Sequence, residues 1–402
     1  MDTQRIYFKN LDILRFLSAY AIVLLHCFFG WKAFFGHPGF IANSLSPSLL
    51  ARLEIFVHNF SFGVDVFFII SGFLITYLLL SEHARTGKVE VMKFYIRRAF
   101  RIWPLYFLLI LIAPLLTYFF FEASPTYTYH FLFAGNFDII NNGPQSVATN
   151  HLWSICIEEH FYLLCPLLIA CIPVRRLPQA LLGIIFASFL FRGYLSQQSY
   201  SFGSEIYMNT LSRVDVLALG SLMGYLFFYK KLKFNHPLPV RLLIYTVFAL
   251  NFIFVDYAEC GTFFAAASKK YFFVLLVSYW AGNFLFHPKA VLAVKSPNLL
   301  HRLGKMSYGI YMFNPVIIFL LLKMFVAFDL HNYFFFLVLV HVCLLAAIML
   351  SFRFIEQPFL ALKEKYAVIK SGEPVKEAED ISTPDGNLQE PEVIPLGNVE
   401  NG

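Results

Sequence analysis

The sequence predicts an all-α polytopic membrane helix bundle of about ten transmembrane helices, with both termini cytoplasmic. Three observations carry this reading. Across 402 residues the chain is 58% hydrophobic and 19% aromatic against 14% charged, with 49 phenylalanines, a composition outside the range of soluble domains. Apolar windows of about 20 residues, enough for a helix to cross a hydrocarbon core, recur from end to end. Lysines and arginines collect in alternate loops, the asymmetry that orients polytopic proteins.

Hydrophobic runs place the spans near residues 10–30, 56–80, 102–121, 152–172, 179–195, 209–229, 240–257, 270–287, 305–325 and 332–355. One side then carries Arg5 and Lys9; Arg85, Lys88, Lys93, Arg97, Arg98 and Arg101; Arg175 and Arg176; Lys230, Lys231 and Lys233; Lys289, Lys295, Arg302 and Lys305; and the tail after Arg353. That side is expected to be cytoplasmic, and an even span count returns both ends to it. The other side holds Lys32, Arg52, Lys269, Lys270 and a few border residues. The first apolar run is long and lacks a small-residue cleavage site, so it is read as a retained span of a cell-membrane protein and not as a signal peptide. Residues 1–365 are expected to form one integral membrane domain, and residues 366–402, rich in Glu, Pro, Gly, Asn and Asp, a disordered cytoplasmic tail. The longest outer loop, Glu122 to Asn150, is placed to cap an entrance or to lie on the surface. Basic residues lie in short loops between spans, which argues against nucleic-acid binding. Cys27, Cys156, Cys165, Cys171 and Cys343 lie in or beside apolar runs without CxxC spacing and read as packing residues; no metal is expected.

Within the first span, NLDILRFLSAYAIVLLHCFF carries Asp12, Arg15 and His26. At roughly 100° per residue the step from Arg15 to His26 returns to within about 20° of the same face, and at about 1.5 Å per residue the two lie roughly 16 Å apart. Charges at membrane depth are costly and usually face a bundle interior, so this face reads as a polar track. The blander reading pairs Asp12 with Arg15 at the interface and gives His26 to a neighbouring helix.

Further along, GVDVFFIISGFLI places Asp65 near the outer boundary, as a helix cap or as a partner for a histidine. KFYIRRAFRIWPLYF carries Arg97, Arg98 and Arg101; these read either as topology and lipid-contact residues or as a phosphate clamp, with Arg97 and Arg101 on a shared face. HLWSICIEEHFYLLCP sets Glu158, Glu159 and His160 consecutively in an apolar segment. Adjacent residues point about 100° apart, so one carboxylate at most aims straight into a site; Tyr162, four residues beyond Glu158, could support it from the same face. Counted from Trp153, the acidic pair lies on the order of 10 Å below the outer boundary, at a depth similar to that of His26. Arg213, in SRVDVLALGSLMGY, is shallow. The pattern is therefore two-ended: arginines at the inner edge suit a phosphate-bearing donor, and an outer chamber holds a histidine base and carboxylates for chemistry at an alcohol. Taken alone, it leaves an acyl-transferring enzyme and a transporter both open.

Seven strings in order, NLDILRFLSAYAIVLLH, GVDVFFIISGFLI, FYIRRAFRIWPLYF, LWSICIEEHFYL, RVDVLALGSLMG, LGKMSYGIYMFNP and FRFIEQP, resemble membrane-bound acyltransferase family 3, whose members transfer acyl groups to extracytoplasmic carbohydrates and related acceptors. The resemblance implies an acyl-CoA donor, acetyl-CoA in the first instance, arriving from the cytoplasm, and a carbohydrate or glycolipid acceptor. It implies catalytic roles for Arg15 and His26, the family's Arg-x10-His pair, and for Glu158 and Glu159. Arg97, Arg98 and Arg101 fall to the donor, and Asp65, Arg213 and Asn314 to the acceptor. The chain departs from the pattern at Asn314, where similar sequences often have histidine, and at His160, where glutamine is common. Some related proteins carry an extracytoplasmic hydrolase-like domain; none is evident here, which implies a stand-alone form. The rival class is a transporter or flippase for a lipid-linked sugar, and a scaffold without chemistry comes third.

Overall fold

A computed structural model of the protein describes residues 8, 10–37, 39, 45–120, 124–198, 204–229, 232, 234, 236–255, 263–287 and 299–368. Helices follow one another along them: α1 (Leu11–Phe35), α2 (Pro47–His58), α3 (Phe62–Thr86), α4 (Val91–Phe120), α5 (Tyr127–Phe131), α6 (Gly135–Asn142), α7 (Trp153–Cys171), α8 (Leu177–Gln198), α9 (Ser204–Tyr207), α10 (Thr210–Phe228), α11 (Leu238–Phe254), α12 (Phe263–Phe286), α13 (Leu299–Lys305), α14 (Ser307–Ala327), α15 (Tyr333–Ser351) and α16 (Gln357–Glu364). In hydrocarbon every backbone polar group must be satisfied within the segment, which only helices and closed barrels achieve. All ten expected span positions are helical. Among the described residues eight helical stretches are long and apolar enough to cross a membrane, so this is a multi-pass integral membrane protein. The other two of the expected ten are α11, an apolar helix of 17 residues, and α12, which carries Lys269 and Lys270. The expected tail lies outside the described residues from position 369, as do Arg5, Lys9, Lys230, Lys231, Lys233, Lys289 and Lys295 of the basic residues used for orientation.

Local chemistry sets the helix ends. Ser46 accepts from the Leu49 N–H ahead of Pro47, and Asn332 and Asn209 cap α15 and α10 at 3.0 Å. Gly36 and Gly87 close α1 and α3 at φ of 75° and 76°, a region that glycine enters without steric cost. The outer loop is ordered by buried polar groups: Asp138 accepts from the Thr126 N–H at 2.9 Å, Tyr106 donates to the His130 carbonyl at 2.7 Å, and Asn136 donates to Thr210 Oγ1 at 3.1 Å.

Side-chain contacts assign the ends of the bundle. Asn10 donates to the Phe284 carbonyl at 2.8 Å, Phe8 packs on Phe73, Tyr77, Phe227 and Phe286, and Tyr95 donates to the Leu163 carbonyl at 2.8 Å. One end therefore gathers the start of α1 with the middle of α3 and the final turns of α10 and α12. Arg97 donates to the Tyr366 carbonyl at 3.0 Å and to Glu82 at 3.2 Å, which brings residue 366 to that same end. Leu163, Leu164, Phe186, Leu243, Val338 and Val342 face outward, as lipid contact requires.

Helices α3 and α10 pack backbone to backbone. A Cβ added to Gly72 would lie 2.0 Å from the Leu217 carbonyl oxygen, and one on Gly220 2.2 Å from that of Ile69. Absent side chains let the two backbones touch, the usual device where the hydrophobic effect cannot drive helices together. Gly220→Val should therefore lower the thermal stability of the detergent-solubilised protein, at a cost of about 1–3 kcal/mol for overpacking. Gly183→Ala, at a site with nothing within 4 Å, should leave the melting temperature unchanged or raise it.

Candidate functional site

Two adjoining cavities run through the bundle. The inner one, about 80 Å³, is lined by Arg15 from α1, Ser71 from α3, Arg98 and Arg101 from α4, and Glu158 and Tyr162 from α7. The outer one, about 710 Å³, is lined by His26, His58, Asn150, His151 and Lys270. Val64 and Tyr311 line both, so a two-residue waist separates them. The polar face of α1 thus reaches both chambers, Arg15 in one and His26 in the other. Asp12 stays with Arg15 at 3.4 Å.

His26 Nδ1 lies 2.6 Å from Asn314 Oδ1. The amide nitrogen of Asn314 donates to the Ile310 and Tyr311 carbonyls at 2.9 and 2.8 Å, which fixes Oδ1 as an acceptor. Nδ1 of His26 therefore carries the hydrogen, and Nε2 keeps the free lone pair. The partner of this histidine is an amide from α14 and not Asp65.

Three guanidinium groups share the inner cavity. Arg98 stacks on Tyr162 and Phe94 at 5.1 and 5.4 Å from the ring centres. The sequence paired Arg97 with Arg101 on one face; instead Arg98 and Arg101 line the cavity, while buried Glu82 draws Arg97 to the α3–α4 turn. Glu82 is itself fixed there by accepting from the Glu90 N–H at 2.7 Å.

Glu158 accepts from Tyr162 at 2.6 Å and from Ser71 at 3.1 Å. It was expected at the depth of His26, but it opens onto the inner cavity. The depth count began at Trp153, yet Asn150, His151 and Trp153 themselves line the outer cavity, which leaves Glu158 roughly 7 Å further in. Glu159 points away, toward the indole N–H of Trp103 at 3.4 Å, and lines neither cavity. His160 meets Thr210 at 2.8 Å.

The geometry agrees with what kinship shows. A family model described as an acyltransferase domain matches residues 8–352. The chain belongs to this acyltransferase family. The O-acetyltransferases OatA of Staphylococcus aureus strains NCTC 8325 and COL are each 29% identical to it over 323 residues, covering 74% of this chain and 52% of theirs. The chain thus spans about half the length of these relatives. No solved structure matches it.

In this acyltransferase domain Asp65 and Arg213 line neither cavity. Asp65 accepts from Arg213 and from Lys270, both at 2.7 Å, in a wholly buried cluster joining α3, α10 and α12, and so it does not cap its own helix. Three basic side chains of the outer cavity, Lys270, His58 and His151, escaped the sequence reading. Lys270 counted only as an outer charge, though a lysine one or two turns inside an apolar helix is itself a signal of a polar interior. His151 stands two residues before Trp153, at the position taken as the boundary; its carbonyl accepts from Tyr311, whose hydroxyl also meets Ser154 at 2.6 Å. Among the described residues no group of three or more His, Cys, Asp or Glu could hold a metal ion.

The tautomer is directly measurable. Nitrogen-15 spectra of histidine-labelled protein at neutral pH should show His26 protonated at Nδ1, and Asn314→Leu should abolish that preference. An Nε2-protonated His26 in the parent would refute the assignment.

Proposed function

We propose that the protein is a membrane O-acyltransferase that moves an acyl group, acetyl in the first instance, from cytoplasmic acyl-CoA to a hydroxyl of an extracytoplasmic carbohydrate or glycolipid. The observation that carries this reading is the pair of cavities meeting at Val64 and Tyr311, with arginines on one side and a histidine with a free Nε2 on the other. The names of the O-acetyltransferase relatives support it.

On this reading Arg98 and Arg101, with Arg15 below them, hold the donor's phosphates by charge-assisted hydrogen bonds. The donor's pantetheine arm is then directed through the inner cavity. That arm must span on the order of 16 Å, the rise from Arg15 to His26, for the thioester to reach the outer chamber. There His26 Nε2 takes the proton of the acceptor hydroxyl as its oxygen attacks the thioester carbonyl. The tetrahedral intermediate then collapses, the carbon–sulfur bond breaks, and the imidazolium returns the proton to the departing sulfur. Asn314 holds the imidazole in the required tautomer and orientation. Glu158 balances the arginines and fixes the Ser71 and Tyr162 hydroxyls on the wall. Arg97 acts at one remove, through Glu82, by anchoring the start of α4.

Purified protein supplied with acetyl-CoA and an acceptor should release CoA and acetylate the acceptor; a transporter or flippase for a lipid-linked sugar would move the acceptor and leave acetyl-CoA intact. His26→Ala should lower transfer at least a hundredfold while membrane insertion persists, and a loss below tenfold would remove His26 as general base. Arg98→Ala and Arg101→Ala should raise the apparent KM for acetyl-CoA about tenfold or more with little change in acceptor KM. Glu158→Gln, which keeps shape and loses charge, should lose most activity where Glu159→Gln keeps most of it; the reverse order would displace Glu158 from the mechanism.

A further inference from the structure

We propose that the outer cavity selects an acceptor bearing one negative charge, a carboxylate or a phosphodiester on the sugar, and that Lys270 binds it. The inference rests on the acyl-transfer reading above and adds the acceptor's charge to it.

A count of buried charges carries the argument. Asp65 on α3 accepts from Arg213 on α10 and Lys270 on α12, each at 2.7 Å. Two residues along α10 from Arg213, Asp215 accepts from Arg192 on α8 at 2.5 Å. All five side chains belong to residues at most 5% exposed. Among the described residues three cations, Arg192, Arg213 and Lys270, thus face two carboxylates, Asp65 and Asp215, which leaves one positive charge in excess. An unmatched charge at this depth is expensive unless it reaches water or a ligand.

The structure shows where that charge surfaces. Of the five residues, Lys270 alone lines the outer cavity. Its ammonium has three donors, and the only carboxylate it meets among the described residues is the one it shares with Arg213. The rings of Tyr207 and Phe273 flank it at 6.0 and 5.6 Å and exclude water on those sides. Among the described residues lining this cavity there is no aspartate or glutamate; the other polar walls are His26, His58, His151, Asn150, Ser61 and two tyrosines. A neutral sugar would leave the ammonium unmatched, whereas an anionic one would complete the pairing with its hydroxyl presented to His26, which lines the same chamber.

The test uses the full chain in nanodiscs with acetyl-CoA and three small acceptors: methyl glucoside, methyl glucuronide and glucosyl methyl phosphate. CoA release reports transfer, and thermal stabilisation by each sugar reports binding independently of chemistry. One or both anionic sugars should exceed the neutral one by about 10–100-fold, the range of a buried charge-assisted contact; which of the two does so separates carboxylate from phosphodiester. Lys270→Gln should bring that ratio to within about twofold, and Lys270→Arg should keep most of it. Lys270→Gln leaves the Asp65–Arg213 pair intact and makes the cluster neutral, so it is expected to fold; should it fail to, the parent's ratio and Lys270→Arg still decide. Equal use and equal binding of neutral and anionic sugars by the parent, or a preference that survives Lys270→Gln, would overturn the proposal. Absence of transfer to every acceptor, with anionic sugars still stabilising the parent and not Lys270→Gln, would count against acyl transfer and leave the anion site standing.

Discussion

A charge inside a membrane is tolerated only where it is paired or faces a cavity, and most of this architecture can be traced to that constraint. Asp65 draws α10 and α12 onto α3 through Arg213 and Lys270, and Arg192 adds α8 through Asp215. At the opposite end Glu82 holds Arg97 and so closes the α3–α4 turn. Arg15, Arg98 and Arg101 open on a cavity that they line with Glu158. Arg97, Arg192 and Arg213 are thus paired with carboxylates away from the cavities, whereas Arg15, Arg98, Arg101 and Lys270 also face space that a ligand can enter.

Helix packing supplies the geometry that these charges need. The contact of α3 with α10 at Gly72 and Gly220 brings the two backbones together behind the waist. Room is left on the other side of α3, where α1, α7 and α14 form the walls of both chambers. Tyr311 stands at the junction with its hydroxyl tied to Ser154 and to the His151 carbonyl, so the boundary between the two cavities is held by hydrogen bonds. Asn314, one turn further along α14, orients His26, which lines the outer cavity. A single helix, α14, therefore contributes to the waist through Tyr311 and sets the tautomer of His26 through Asn314.

The eleven-residue interval between Arg15 and His26 was legible in the sequence as a polar face, because helical periodicity depends on nothing beyond the helix itself. The same holds for the span positions, for the Tyr162–Glu158 contact four residues apart, and for the family, whose strings recur along the chain. What a residue meets across the bundle was not legible. Arg97 and Arg101 share a helical face by spacing, yet Glu82, fifteen positions earlier, captures one and leaves Arg98 to join the other. Glu158 was placed with His26 by counting from a boundary at Trp153, and the cavity extends past that boundary. Lys270 looked like a loop charge because only the fold brings it to Asp65, 205 residues away. Periodicity along one helix is a local property of the backbone, whereas the depth of a cavity and the sum of charges around it depend on how several helices meet, and that is decided by tertiary packing alone.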